Sequence, residues 1–240
     1  MIQTISQWQS TRNALIHREV LLRQLRALYS AKKNVLIMGP AGIGKTTLLL
    51  GLSQTLPLRI CDDCSSLGRI CDILERQFGW NDSKLNLTER KNRLLRYFEQ
   101  RNHPIAFDHV AAVRPRVARF IARLIPPAPV WIACRSDQRK EIGHLWEHLY
   151  SFTRIPVPPF SMAETSAMIE HAMTAGMIQS EVIRYTAHLH RISKGVPRIL
   201  YQLLNMLKNH RYNIAVSSGL NLLELDRKIS QLIDTASEPI

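Results

Sequence analysis

Cysteine is scarce in this sequence, and long apolar runs are missing. Four cysteines in 240 residues are too few for the disulfide framework of a small secreted domain. No apolar stretch approaches the roughly 20 residues that a helix needs to cross a bilayer. The first residues also lack the basic and then apolar layout of a secretory signal. We therefore expect a cytoplasmic protein with no membrane partner.

Acidic residues are few in comparison with basic ones. The chain has 19 Asp and Glu against 32 Lys and Arg, which gives a formal net charge of +13. An excess of that size favours a polyanionic partner, nucleic acid above all, and a solvated basic surface is the alternative. Because 45% of the residues are apolar, the chain has the composition of a folded protein.

Short apolar runs alternate with helical patterns over the first two thirds of the chain. The runs predict strands at 34–38, 58–61, 104–107, 130–134 and 155–157. Between them, apolar residues at helical spacing predict helices, one of which begins behind an N-cap at Ser65. Strands that alternate with helices indicate an α/β domain with a parallel sheet covered on both faces.

After Pro159 the pattern becomes all-helical. Ser161 and Glu164 have the spacing of a capping box, and the helix behind them is expected to stop at Gly176. A second helix is predicted over about 180–192, and a third starts at Pro197. We therefore predict two domains, 1–157 and 158–240.

The strongest motif lies between the first predicted strand and the helix that follows it. Gly39-Pro40-Ala41-Gly42-Ile43-Gly44-Lys45-Thr46 fits G-x-x-x-x-G-K-[ST] completely, and Thr47 continues the loop into the helix. The glycines let successive N–H groups point at one anion, and the helix adds the free donors of its first turn. Lys45 is expected to reach the β- and γ-phosphates, and Thr46 to offer its hydroxyl to Mg²⁺. The motif predicts a site for ATP and Mg²⁺.

The segment from His17-Arg18-Glu19 through VLIMGPAGIGKTTLL resembles the opening of AAA+ ATPases of the origin-recognition type. It also resembles their relatives, the STAND signalling ATPases and the transposition-regulator and secretion-associated ATPases of bacteria. The resemblance covers roughly residues 16–207. It implies a parallel-sheet P-loop NTPase core of the AAA+ kind, a C-terminal all-helical lid domain, and hydrolysis of ATP to ADP and phosphate.

The resemblance gives roles to two residues at the end of the third predicted strand, PIAFDHV. Asp108 would hold Mg²⁺, directly or through water. Active members of the family usually carry Glu after this Asp, and this chain has His109. His109 either acts as a base, since its ordinary pKa is near neutrality, or marks slow turnover and a switch-like protein. We favour slow hydrolysis.

Three arginines match other positions of the family. Arg135, after the fourth strand, resembles the arginine with which STAND members contact the γ-phosphate. Pro197 and Arg198 resemble the sensor-2 motif G-x-P-R, in which the arginine links the lid to the phosphates. Arg154 lies where some relatives carry an arginine finger, and a solvated arginine is an equal alternative.

A basic segment runs from Glu89 to Arg123, with nine Lys and Arg residues and few acids. Within it, Arg116, Arg119 and Arg123 have the spacing of one helical stripe. A DNA backbone would compensate this charge, and binding would then be sequence-independent and salt-sensitive. A solvated face or a protein interface is the alternative.

Two motifs point weakly to zinc. Cys61-x-x-Cys64 lacks a fourth ligand, since Cys71 falls on the apolar face of a predicted helix. His144-Leu145-Trp146-Glu147-His148 matches H-x-x-E-H, a short pattern that occurs by chance. We favour a structural explanation for both.

Two functions fit these observations. The first is an ATP-dependent regulator that assembles on double-stranded DNA and recruits or licenses a separate effector protein, as transposition-regulator ATPases do. The second is a STAND-like signalling switch with slow hydrolysis, a separate effector and no DNA. Self-assembly into a homo-oligomer is compatible with either. A vigorous remodeller is disfavoured by His109.

Overall fold

The structure is a computed structural model that describes residues 18–80, 85–208, 212 and 217–236. The chain divides into two compact units, Met1–Val157 and Pro158–Ile240. His17, where the resemblance to AAA+ ATPases begins, lies outside the described residues. Over the described part of the chain, no helix combines the length and the apolar character that crossing a bilayer requires.

A five-stranded sheet forms the centre of the first unit, and all neighbouring strands are parallel. The strand order is β2-β3-β4-β1-β5. The strands are β1 (Val35–Met38), β2 (Arg59–Cys61), β3 (Ile105–Val110), β4 (Val130–Cys134) and β5 (Thr153–Pro156). All five residues of β4 are buried, as expected for a strand covered on both faces. The predicted α/β fold with a parallel sheet is confirmed.

Helices cover this sheet. They are α1 (Glu19–Ser30), α2 (Lys45–Ser53), α3 (Leu67–Gln77), α4 (Leu87–Arg101), α5 (Pro115–Leu124) and α6 (Arg139–Ile142), followed by a 3-10 helix at His144–His148. The N-cap of α3 is Ser66, whose hydroxyl accepts from the Arg69 N–H at 3.2 Å. The predicted N-cap, Ser65, was wrong by one residue. Ser65 lies just before the cap, and its N–H donates to the Asp63 carboxylate at 2.9 Å.

The third strand is longer than predicted. The apolar run ends at Phe107, but β3 continues through Asp108 to Val110. Phe107 pairs with Ile132 and Val110 with Cys134, so β3 carries one residue more than β4 across this stretch. That mismatch is a β-bulge, which lets pairing continue past two polar residues.

The second unit is helical. It contains α7 (Met162–Thr174), a 3-10 helix (Ser180–Tyr185), α8 (Thr186–Ser193), α9 (Pro197–Leu207) and α10 (Ser217–Ala236). The capping box is confirmed: the Ser161 hydroxyl accepts from the Glu164 N–H at 3.2 Å, and the Glu164 carboxylate accepts from the Ser161 N–H at 2.7 Å. The single helix predicted over 180–192 is divided into a 3-10 turn and α8. Buried Ile169, Leu189 and Leu200 help to form the core of this unit.

Candidate nucleotide-binding site

The loop 39–44 joins β1 to α2 at the carboxyl end of the sheet. Gly42 (φ +77°) and Gly44 (φ +102°) lie in the left-handed region, where a side chain would be strained. The N–H of Leu48 donates to the carbonyl of Gly44 at 3.0 Å, so the N–H groups of Lys45 to Thr47 precede the helical hydrogen bonds of α2. Free N–H groups at a helix start are suited to an anion.

Lys45 carries a half-buried cation at this loop. Its Nζ donates to the carbonyls of Gly39 (2.6 Å) and Pro40 (3.0 Å). Burial lowers the pKa of Lys45, the carboxylate of Asp108 opposes that shift, and the positive charge of Arg135 adds to it. The charges of Asp108 and Arg135 are therefore close enough to Lys45 to act on its protonation.

Thr46 and Asp108 meet at the edge of the loop. The Thr46 hydroxyl donates to Oδ2 of Asp108 at 2.6 Å, and the carboxylate is only 1% exposed. Among the described residues, its one ion-pair partner is the imidazole of His109, with Nε2 3.6 Å from Oδ2. A buried carboxylate without a lysine or arginine partner is costly, and an adjacent hydroxyl completes an oxygen donor pair. These two side chains fit a Mg²⁺ ion.

His109 reaches the same place although it is the next residue in the strand. Neighbouring side chains of a regular strand point to opposite faces. Here the β-bulge and a left-handed backbone at His109 (φ +52°) bring its Nε2 to 3.5 Å from the Thr46 hydroxyl. The imidazole is 70% exposed and therefore accessible to solvent beside the buried carboxylate.

Arg135 follows β4, which lies between the strands that carry the loop and Asp108. The Gly39 N–H lies 3.2 Å from the carbonyl of Arg135 and 3.3 Å from that of Cys134, so the end of β4 is bonded to the start of the loop. The guanidinium is exposed, and its charge acts on Lys45. The strand order thus brings Arg135 beside the phosphate-binding loop.

The other two family-matched arginines are held in different ways. Arg154 forms an ion pair with Asp137 at 3.0 Å. Pro197 is the first residue of α9, and Arg198 is exposed in its first turn. Arg154 belongs to the first unit, and Pro197 and Arg198 belong to the second. The role of Arg198 toward phosphates stays a prediction.

The cysteines near this site are thiols. A hydrogen bond with Cys61, together with burial, raises the pKa of Cys64 far above its ordinary value, so the thiol stays protonated. Its Sγ donates to the carbonyl oxygen of Asp108 at 3.8 Å. The sequence did not predict this contact, which follows from the pairing of β2 with β3. Nowhere in the described ranges do three or more His, Cys, Asp or Glu side chains form a group that could hold a metal.

The basic segment is less uniform than its composition indicates. Arg90 is neutralised, because its guanidinium pairs with Glu75 and Asp72 of α3, both at 2.6 Å. It does not belong to a free basic surface. By contrast, the three arginines of α5 are all exposed and form no ion pair with another described residue: Arg116, Arg119 and Arg123.

Comparison with known proteins supports the fold. No protein-family model matches this chain, and no curated protein sequence matches it. Solved structures do. Cdc6p from Pyrobaculum aerophilum matches with a TM-score of 0.62 and 15% identity over 82% of this chain and 62% of its own.

Two further structures are similar to a comparable degree. The Aeropyrum pernix ORC1 protein in complex with DNA gives a TM-score of 0.62 at 15% identity, over 96% of this chain and 73% of that protein. The Walker-type ATPase PABY2304 of Pyrococcus abyssi gives 0.63 at 15% identity, over 91% and 74%. The chain thus spans about three fifths to three quarters of these proteins. At this level of identity, the likeness shows the fold alone: a parallel α/β sheet with flanking helices, as in these three proteins.

Proposed function

We propose that this protein is an ATPase of the AAA+ kind that acts as a nucleotide-dependent, DNA-associated regulator of a partner protein. The observation that carries the proposal is the contact between Thr46 and Asp108 at 2.6 Å, beside a complete phosphate-binding loop. The loop and the carboxylate lie far apart in sequence, and the strand order, with β4 between β1 and β3, brings them to one edge of the sheet. The similarity to Cdc6p and to a Walker-type ATPase supports nucleotide binding.

Each residue of the site has a distinct task in this proposal. The N–H groups of the loop and Lys45 bind the β- and γ-phosphates of ATP. Thr46 and Asp108 hold Mg²⁺, which supplies charge stabilisation for the phosphoryl group when it is bound. Arg135 contacts the γ-phosphate through paired donors, and Arg198 reports the phosphate state to the helical unit.

His109 sets the expected rate. It occupies the position after Asp108, where the resemblance implies a glutamate that polarises the attacking water. An exposed imidazole 3.5 Å from the Thr46 hydroxyl is a weaker orienting group than a fixed carboxylate. We therefore propose slow hydrolysis, so that the ATP-bound state persists and a partner can respond to it.

The DNA part of the proposal depends on α5. Its exposed arginines, Arg116, Arg119 and Arg123, form a stripe with no described carboxylate to compensate it. One of the similar structures is a protein in complex with DNA. A phosphate backbone would supply the missing negative charge without reading bases.

A STAND-like switch without DNA is the second candidate, and the replacement of a glutamate by His109 favours it. Turnover of ATP by the full chain, with and without double-stranded DNA at low salt, separates the two. Under the first function, DNA raises turnover and Lys45→Ala abolishes it. The matched control is Lys33→Ala, an exposed lysine in the turn before β1, which should leave turnover unchanged.

The arginine stripe gives the same experiment a second arm. Replacing Arg116, Arg119 and Arg123 by Gln should reduce the slope of log affinity against log salt by about three, if each arginine contacts one phosphate. ATP binding with turnover at background, unchanged by DNA, would instead support the switch.

A further inference from the structure

The outward face of α4 forms a groove that the nucleotide site does not use. It has a volume of about 510 Å³, and the described residues that line it are Trp80, Leu85 and side chains of α4. Trp80 and Tyr97 form an aromatic wall, Leu85 adds an apolar side chain, and Arg93 and Arg96 supply positive charge. The groove therefore combines apolar surface with two cations.

The rings of the wall pack on one another. The ring centroids of Phe78 and Tyr97 are 4.2 Å apart, those of Phe78 and Trp80 are 4.8 Å apart, and Trp80 meets Tyr97 edge-on at 5.4 Å. A nucleic-acid strand that binds by stacking needs open ring faces. Because Trp80 and Tyr97 meet edge-on at 83° and present no pair of parallel ring faces, the wall is better suited to an apolar side chain than to a stack of bases.

The two arginines form no ion pair within the part of the chain that the structure describes. The guanidinium of Arg93 lies 4.1 Å from the ring centroid of Trp80, which holds it in place. Glu89, one turn earlier, also lines the groove, but its carboxylate accepts from the Asn86 N–H at 2.8 Å as part of a capping box. Neither Arg93 nor Arg96 forms an ion pair with any residue in the described ranges. A prepositioned guanidinium without a carboxylate can bind an anion at low entropic cost.

The groove is at the opposite end of the sheet from the nucleotide site. Arg59, the first residue of β2, lies over the Phe78 ring at 5.3 Å, and the ring of His103, just before β3, is 6.4 Å from that of Tyr97. Both contacts place the aromatic wall at the amino ends of the strands. The phosphate-binding loop and Asp108 lie at the carboxyl ends, so a molecule in the groove leaves the nucleotide site open.

We propose that this groove is the docking site for a short acidic segment of the partner protein, an inference that rests on the partner recruitment proposed above. An apolar side chain of the segment packs against Trp80 and Leu85, and flanking carboxylates pair with Arg93 and Arg96. Tryptophan, tyrosine and arginine are the residues that dominate the energetics of protein interfaces. The charge of the groove selects an acidic segment.

The test uses the full chain and a panel of fluorescein-labelled 12-residue peptides, each with a central Leu or Phe flanked by glutamates. Binding is measured by fluorescence anisotropy. At least one peptide should bind, its Lys-for-Glu counterpart should not, and Arg93→Glu with Arg96→Glu should weaken binding at least about tenfold. The matched control is Arg23→Glu with Arg26→Glu, an exposed pair of the same spacing on α1, which should keep the wild-type affinity.

Three results would overturn the inference. They are a wild-type chain that binds no acidic peptide, equal losses in the groove and control variants, and tighter binding of a 12-nucleotide oligo-dT that the groove variant alone loses. The last result would make the groove a nucleic-acid site. ATP turnover is followed in the same variants, and peptide binding in Lys45→Ala. A wild-type chain that turns over ATP but binds no acidic peptide contradicts the groove proposal alone. A wild-type chain that binds the peptide but does not turn over ATP contradicts the ATPase proposal alone.

Discussion

Two buried carboxylates in the first unit differ in their ion-pair partners. Glu75 is 8% exposed and pairs with the guanidinium of Arg90 at 2.6 Å, which raises the pKa of that arginine. Asp108 is 1% exposed, and its carboxylate accepts from the Thr46 hydroxyl at 2.6 Å and from the His109 N–H at 2.8 Å, but its one ion-pair partner among the described residues is an exposed imidazole. A buried charge is tolerated at low cost only when it is paired. The paired acid therefore serves the fold, and the acid without a strong cation is the one that we propose to hold Mg²⁺.

The largest expected effect comes from neutralising the acid that lacks a lysine or arginine partner. Asp108→Asn should reduce ATP turnover about a hundredfold or more, because it removes an anionic oxygen that would hold Mg²⁺. The free energy of unfolding should change little, since the variant loses one of two hydrogen-bond acceptors but no longer buries a charge without a lysine or arginine partner. Turnover and urea denaturation measure the two effects.

The control for that variant is Asp62→Asn, an exposed acid directly after β2. It should change neither turnover nor stability by a measurable amount. A large loss of stability in Asp108→Asn would show instead that Asp108 is a structural acid, and the comparison with Glu75 would fail.

The opposite pattern is expected at the paired acid. Arg90→Gln leaves Glu75 buried without its cation and should lower the free energy of unfolding by about 2 kcal/mol, since Arg90 is itself partly exposed. ATP turnover per folded molecule should not change. Arg96→Gln, an exposed arginine of the same helix, should alter stability by less than about 0.5 kcal/mol. Equal losses of stability in the two variants would contradict the prediction.

The smallest effect in this comparison is expected at Asp63, an acid that is partly exposed. Hydrogen bonds from Ser65, and the nearby Arg69, lower the pKa of Asp63 from 3.8 to about 2. The stabilising contribution is therefore complete above pH 4 and is lost as the pH falls toward 2. At pH 7 the free energy of unfolding of the wild type should be higher than that of Asp63→Asn by only about 0.5 kcal/mol, because the Asp63 side chain is partly solvated. Urea denaturation at pH 7, 5, 4 and 3 should show a difference that is constant down to pH 4 and narrows at pH 3.

Local sequence patterns predicted several strands, helix starts and caps. The run 130–134 is β4 without a shift of either end, since a central strand covered on both faces is apolar throughout. The Ser161 capping box and the start of α9 at Pro197 were also found, because caps depend on residues a few positions apart. The end of β3 was missed, because a β-bulge carries pairing beyond the apolar run.

Charge was harder to interpret from the sequence. Arg90 stood among the basic residues of one segment, but its partners Asp72 and Glu75 lie a helix earlier, and only the packing of α4 on α3 joins them. The aromatic groove was missed for a similar reason. Phe78 and Trp80 are neighbours in a chain with only 7% aromatic residues, but Tyr97 lies a helix later, and only the packing of α4 on α3 joins the three rings.

By itself, the sequence determined that this chain forms a parallel α/β sheet with a phosphate-binding loop and a helical second part, since those features depend on short-range spacing of apolar residues, glycines and caps. Only the tertiary structure decided which charges are compensated. The order of the strands brought Thr46 to Asp108 and Arg135 to the loop, and a bulge turned His109 toward the same point. Such contacts join distant parts of the chain, and strand order and helix packing fix them.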